Sequence, residues 1–171
     1  MTIKKVEVGH YSIPLPVILS DSMHGDMSGF ELMTVRVSDV EGREGLGYTY
    51  TLGAGARAIH SVMEADMVPF LLGRDETRIE EIWQSLWWKL HYAGRGGLAI
   101  HALSAIDVAL WDLLGKRTDL PLWRLLGGSN PEVKAYAGGI DLMFTLDELL
   151  AQTEKNLSKG FRAIKMKVGR D

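Results

Sequence analysis

The sequence predicts an α+β domain, built as an antiparallel meander followed by helices, and after it the opening of an α/β domain. Three observations predict this. Segments of alternating polarity at residues 3–13, 30–38 and 44–51 are separated by turn chemistry. Helical periodicity then runs from residue 56 to about 126. Beyond Ser129-Asn130-Pro131 the pattern returns as strand, helix, strand, a βαβ unit that requires a parallel sheet. The expected domains are residues 1–130 and 131–171.

The first strand should end at Pro14 and Pro16. Residues 20–29, Ser-Asp-Ser-Met-His-Gly-Asp-Met-Ser-Gly, read as loop throughout, and Glu41-Gly42 as the second turn. An amphipathic helix over 56–68 should close before Pro69. Thr77 with Glu80 predicts a capping box for a helix reaching Tyr92. Gly96-Gly97 should precede a long apolar helix ended by Gly115, and Asp119-Leu120-Pro121 a short helix ended by Gly127-Gly128. Residues 132–137 read as a strand, Thr145 and Glu148 as a second capping box, Gly160 as the helix stop, and 161–168 as a short buried strand.

Composition narrows the function. Hydrophobic residues are 46% and charged residues 24%, as in ordinary globular domains. A net charge of −3 leaves no electrostatic footprint for nucleic acid. The absence of cysteine excludes disulfides, thiolate metal sites and a cysteine nucleophile, and suits a cytoplasmic setting. Lys4-Lys5 before an apolar stretch imitates a signal peptide, but Glu7, His10, Pro14 and Pro16 interrupt it. No run looks long enough to span a membrane.

The residues carrying chemistry are few. Lys165 and Lys167 lie two apart on a predicted strand, so both amines point to one face. Each disfavours protonation of the other, which suits one of them to act as a base near neutral pH. They fall at the end of the second parallel strand, where α/β barrels place catalytic groups. His24 sits in a glycine- and methionine-bearing segment that reads either as a solvated loop or as a lid closing over a ligand. Gly53-Ala54-Gly55-Ala56-Arg57-Ala58 is a GxGxxA between strand and helix. It reads as a glycine turn, or as a dinucleotide fingerprint if a second parallel strand follows. Trp83 and Trp87 share a helical face and read as core, with Trp88 turned partly away. His60 and Glu64 are too few for a metal site and read as a surface pair. Asp107 and Asp112, in the apolar helix, should satisfy backbone or arginine partners, and Arg95 should anchor structure.

The run Ala102-Leu103-Ser104-Ala105-Ile106-Asp107-Val108-Ala109-Leu110-Trp111-Asp112-Leu113-Leu114-Gly115-Lys116, with Leu120-Pro121-Leu122 and Leu125-Leu126-Gly127-Gly128, resembles the enolase superfamily, and within it the mandelate racemase and muconate lactonizing enzyme group. Val133-Lys134-Ala135-Tyr136 and Gly160-Phe161-Arg162-Ala163-Ile164-Lys165-Met166-Lys167-Val168-Gly169 fit the same group. The resemblance implies an N-terminal α+β capping domain and then a modified TIM-type barrel. It implies Lys167 as general base, Lys165 as the neighbour tuning it, and Mg2+ as the cofactor. The segments at 20–29 and 49–55 would be capping-domain loops that select the substrate, with His24 and Tyr50 as contacts.

The implied reaction is removal of the proton α to a carboxylate, as a racemase or a dehydratase of a hydroxy acid or acid sugar. Cycloisomerases and dipeptide epimerases share the motif. The expected partners are a small carboxylate substrate, the remainder of the barrel and further copies in a homo-oligomer, with neither nucleic acid nor membrane. The magnesium ligands are expected on barrel strands outside these residues. Two rivals stand beside this reading: an inactive fragment serving only assembly, and a dinucleotide-binding module.

Overall fold

The computed structural model describes residues 1–169. The chain divides into two compact units, Met1–Ile13 with Phe30–Ser129, and Pro14–Gly29 with Asn130–Asp171. The second unit therefore draws on two separate stretches of sequence, and a linear boundary near residue 130 does not reveal its first.

Three strands form the meander, β1 (Ile3–Asp21), β2 (Gly25–Asp39) and β3 (Glu44–Thr51), in the order β1-β2-β3. β2 and β3 pair antiparallel, with Val35 opposite Gly47 and Val37 opposite Gly45. The first two strands are longer than the sequence suggests. β1 passes through Pro14 and Pro16 because it is an edge strand. Both prolines share parity with Ser20, whose N–H donates to Ile140 O in unit 2. Edge strands accommodate proline where its missing N–H faces away from the ladder. Residues 20–29 are likewise not loop throughout. They are the two strand ends and a tight turn at Ser22–His24.

In unit 1 the helices cover one face of the sheet. After β3 come α1 (Ala56–Val62), a π-helical turn (Met63–Met67) and α2 (Val68–Leu71) in one continuous run. Pro69 does not end this run. It sits at the start of α2, just past the π-turn, where the run changes from π to α geometry. α3 spans Ile79–Lys89. Its predicted capping box does not form, because Asp75 takes Thr77 instead. Thr77 N and Oγ1 donate to Asp75 Oδ1 at 3.0 and 2.8 Å, and the helix N-cap falls one residue later, at Arg78.

α4 (Leu98–Thr118) lies along β3 as the core helix. Gly45 and Gly47 make this approach possible: a Cβ on them would stand 2.0 Å from Ala109 O and 1.9 Å from Ala105 O. Ile59, Met63, Met67, Leu71, Ile82 and Leu86 close the core around Leu103, Ile106, Leu110 and Leu113. By length and composition α4 is apolar enough to cross a membrane, with 21 residues and a mean hydropathy of 1.5, which corrects the sequence expectation. Here that apolarity fills the core of unit 1. Gly115 does not end the helix. It lets the chain return closely, with Leu120 N on Gly115 O at 3.0 Å, and the helix stops at Asp119 in the left-handed region. α5 (Leu122–Leu125) follows.

Unit 2 contains β4 (Ala137–Gly138), α6 (Leu146–Ser158) and β5 (Ile164–Lys165). β4 and β5 pair parallel, Ala137 with Ile164 and Gly138 with Lys165, so the unit is βαβ. Both strands are shorter than predicted. Each finds regular ladder partners over only two positions, and the predicted burial of 161–168 is absent. Lys165, Met166 and Val168 are exposed and Lys167 is half-buried, since no layer among the described residues covers them. The capping box at Thr145 forms as expected: Glu148 N donates to Thr145 Oγ1, and Thr145 N donates to Glu148 Oε2.

Candidate functional site

The polar centre of unit 2 is Asp141, only 1% exposed. β4 leads into it through Gly139-Ile140. Its Oδ1 accepts the Lys167 main-chain N–H at 2.8 Å. Its Oδ2 accepts Gln152 Nε2 at 2.6 Å. Gln152 comes from α6, whose start is fixed by the capping box. Asp141 therefore ties both later elements of the βαβ unit to the end of β4, and it fixes the backbone of Lys167.

The end of β1 adds beside this point. Ser20 N donates to Ile140 O at 3.2 Å, and Leu142 N donates to Ser20 O at 3.1 Å, a parallel bridge between Ser20 and Asp141. The next residue along β1 is Asp21, and its Oδ2 lies 3.7 Å from Lys167 Nζ.

Asp21 also builds the hairpin turn. Its Oδ1 accepts from Met23 N at 2.9 Å and His24 N at 2.8 Å, which is how an aspartate stabilises a tight turn. Gly25 then supplies the positive φ of 65°. The His24 ring closes back on the same carboxylate, with Nδ1 3.0 Å from each oxygen. The His24 side-chain hydrogen bond, followed by its main-chain one, lowers the Asp21 pKa to about 2.

The structure thus gathers two of the sequence candidates, Lys167 and His24, on one carboxylate. Lys165 stands next along the strand, exposed. Tyr50 belongs to unit 1. Its ring meets Phe30 edge-on, 5.5 Å between centroids, and with Ile13, Phe30 and Leu32 it lines an apolar hollow of about 400 Å³. Sequence reading missed Asp21, Asp141 and Gln152. A signal for Asp21 was present, because an aspartate just before a glycine-terminated turn is turn-capping chemistry.

The remaining candidates have structural roles. Asp112 accepts Leu46 N at 2.7 Å and pairs with Lys116 at 2.8 Å. The Asp107 pKa is raised, first by burial and then by Glu80, and its Trp111 hydrogen bond opposes this. Arg95 lies over the Trp87 ring at 3.5 Å, and Trp83 stacks on Trp87 at 6.2 Å. His60 and Glu64 are a pair at 3.6 Å. The GxGxxA turn has Gly53 and Gly55 at positive φ before α1. No parallel strand follows it in unit 1, where α2 occupies the stretch a fingerprint would need. Among the described residues no group of three or more His, Cys, Asp or Glu is placed to hold a metal ion.

Lys167 thus has its main chain held by one carboxylate and its amine paired with another. Known proteins resemble this chain over almost its whole length. The family model for the mandelate racemase / muconate lactonizing enzyme N-terminal domain matches residues 5–127. A 3,6-anhydro-alpha-L-galactonate cycloisomerase of Streptomyces coelicolor is 55% identical over 98% of this chain and 46% of its own length. A racemase from Streptomyces coelicolor, solved with bound magnesium, superposes with a TM-score of 0.95 at 55% identity, over 98% of this chain and 47% of that one. The L-talarate/galactarate dehydratase of Salmonella typhimurium, liganded with Mg and L-lyxarohydroxamate, gives a TM-score of 0.91 at 30% identity, over 99% of this chain and 44% of that one. The chain spans about half the length of the relatives it matches.

Proposed function

This chain belongs to the mandelate racemase / muconate lactonizing enzyme family, whose N-terminal domain it carries, and on that premise we propose that the protein containing it removes the proton α to the carboxylate of an acid sugar, with Lys167 as the base. The observation that carries the reading is the placement of Lys167 just past the end of β5, its backbone fixed by Asp141. In its neutral form Nζ takes the α-proton, and the electron pair of the broken C–H bond moves into the carboxylate as an enediolate. Three outcomes follow from that one intermediate. Return of a proton to the opposite face racemises the centre. Expulsion of an oxygen from the next carbon as water makes a dehydratase. Expulsion of an oxygen that stays tethered through a ring makes an isomerase. The cycloisomerase relative at 55% identity supports the third outcome, and the dehydratase at 30% supports the second.

Magnesium enters this proposal through the relatives solved with it. The described side chains of this chain do not fit it: Asp21 and Asp141 are committed to the turn, Lys167 and Gln152, and no third ligand stands with them. The contribution of this chain is proton transfer, with unit 1 as the capping domain.

The test is incubation of the whole protein with magnesium and a panel of acid sugars in deuterated water. Loss of the α-proton resonance from an anhydrogalactonate or an aldarate is expected. Absence of both exchange and turnover across the panel would end the proposal. A polypeptide of residues 1–171 alone is expected to show neither.

A further inference from the structure

Lys167 has a second carboxylate neighbour that the reaction chemistry does not call for. A base must be neutral to accept a proton, yet Asp21 Oδ2 lies 3.7 Å from its amine. Asp21 is also the residue that orders the turn, through Met23 N, His24 N and His24 Nδ1. Among the described residues, the charged and titratable groups around Lys167 are Lys165 on β5, Asp141 beyond β4, and Asp21 with His24 at the β1–β2 turn. Asp141 is occupied by the Lys167 main chain and Gln152. Lys165 repels a charge on Lys167, and Asp21 attracts it.

We propose that Asp21 is a positioning residue for Lys167, holding the amine at the strand end and opposing Lys165 in setting the pH at which that amine becomes free to react. This deepens the assignment of Lys167 as base and rests on it. The hairpin tip would thereby act on the proton transfer as well as on substrate choice. His24 Nδ1 shares the Asp21 carboxylate that faces Lys167. An opposite charge within about 4–6 Å favours the charged form of its neighbour, so Asp21 and Lys165 should move the reactive limb in opposite directions.

The test uses the whole protein and needs no turnover. Lys167 is acylated with a small water-soluble amine reagent across a pH series, and its modified peptide is quantified by mass spectrometry. Asp21→Asn removes the charge but keeps an acceptor for the turn amides. It should move the rising limb of Lys167 modification to lower pH, so that modification at a pH on that limb is about threefold faster or more, the factor for half a unit. Lys165→Ala should move the limb the other way. Asp21→Ser, which can still cap the turn, serves if the asparagine variant does not fold. An unchanged limb in a folded Asp21 variant overturns the proposal. If the limb moves while Lys167→Ala leaves α-proton exchange intact, the positioning stands and the assignment of the base fails.

Discussion

The Asp141 carboxylate accepts the main-chain N–H of Lys167 at 2.8 Å across 26 residues of sequence. Its other oxygen holds Gln152, and the side chain is buried. Asp141→Ala would leave a half-buried amide and a main-chain donor without acceptors, at a cost of about 1 kcal/mol. Asp141→Asn keeps one carbonyl acceptor for Lys167 N and should cost less. Thermal melts of the two variants should rank in that order. Exchange activity should fall with the alanine variant even below its melting temperature, because the Lys167 backbone is no longer fixed. Equal melting of both variants and wild type would show that this carboxylate is not an anchor.

Gly47→Ala tests the packing of unit 1. The added Cβ would lie 1.9 Å from Ala105 O and 2.6 Å from Ala109 N, all backbone of α4. No side chain can rotate away, so helix and strand must separate. Overpacking typically costs about 1–3 kcal/mol and more where the neighbour is rigid. The variant should melt well below wild type or fail to fold. Gly42→Ala meets nothing within 4 Å and should show only the smaller strain of its φ of 84°. Chemical denaturation of both separates close approach from backbone strain.

The two lysines should fail differently. Lys167→Ala removes the proposed base and should lower α-deuterium exchange by about 100-fold or more for at least one substrate enantiomer. Lys165→Ala keeps the base and removes a like charge, so its exchange profile should shift to higher pH with a smaller change at the plateau. Initial exchange rates in deuterated buffers across a pH series distinguish the two. Near-normal exchange by Lys167→Ala for both enantiomers would remove it from the role.

Much of this was legible in sequence wherever the signal was local. β3, α1 and the Thr145 box follow from periodicity and spacing. What sequence could not give depends on contacts made across long separations. β1 continues past two prolines because it is an edge strand, a fact about the sheet and not about residues 14–16. Thr77 lost its predicted box to Asp75, a competition between two plausible caps. Gly115 read as a stop because glycine often is one, whereas here it admits the returning backbone of Leu120. At the site, Lys167 and His24 stood out as residue types, but the carboxylates joining them did not. Asp21 meets Lys167 only once the hairpin tip and the βαβ unit have folded together as unit 2.

Asp21 also predicts an acid limb of stability. Its folded-state pKa is lowered from 3.8 to about 2, chiefly by the His24 side chain and then by the His24 amide. A depressed carboxyl contributes stability that is fully present above its unfolded value and lost as pH falls through the folded one. The unfolded chain binds more protons in that window, so stability rises with pH between about 2 and 4. Asp21→Asn cannot titrate and has no such contribution. Urea denaturation midpoints of wild type and Asp21→Asn should therefore differ most above pH 4 and converge as pH approaches 2, with wild type falling more steeply. His24→Ala should flatten the wild-type slope, because it removes the largest cause of the depression while leaving the turn amides in place. Parallel midpoints for wild type and Asp21→Asn through this range would mean that the Asp21 carboxyl titrates alike in folded and unfolded chains, and that the His24 contact does not hold its charge.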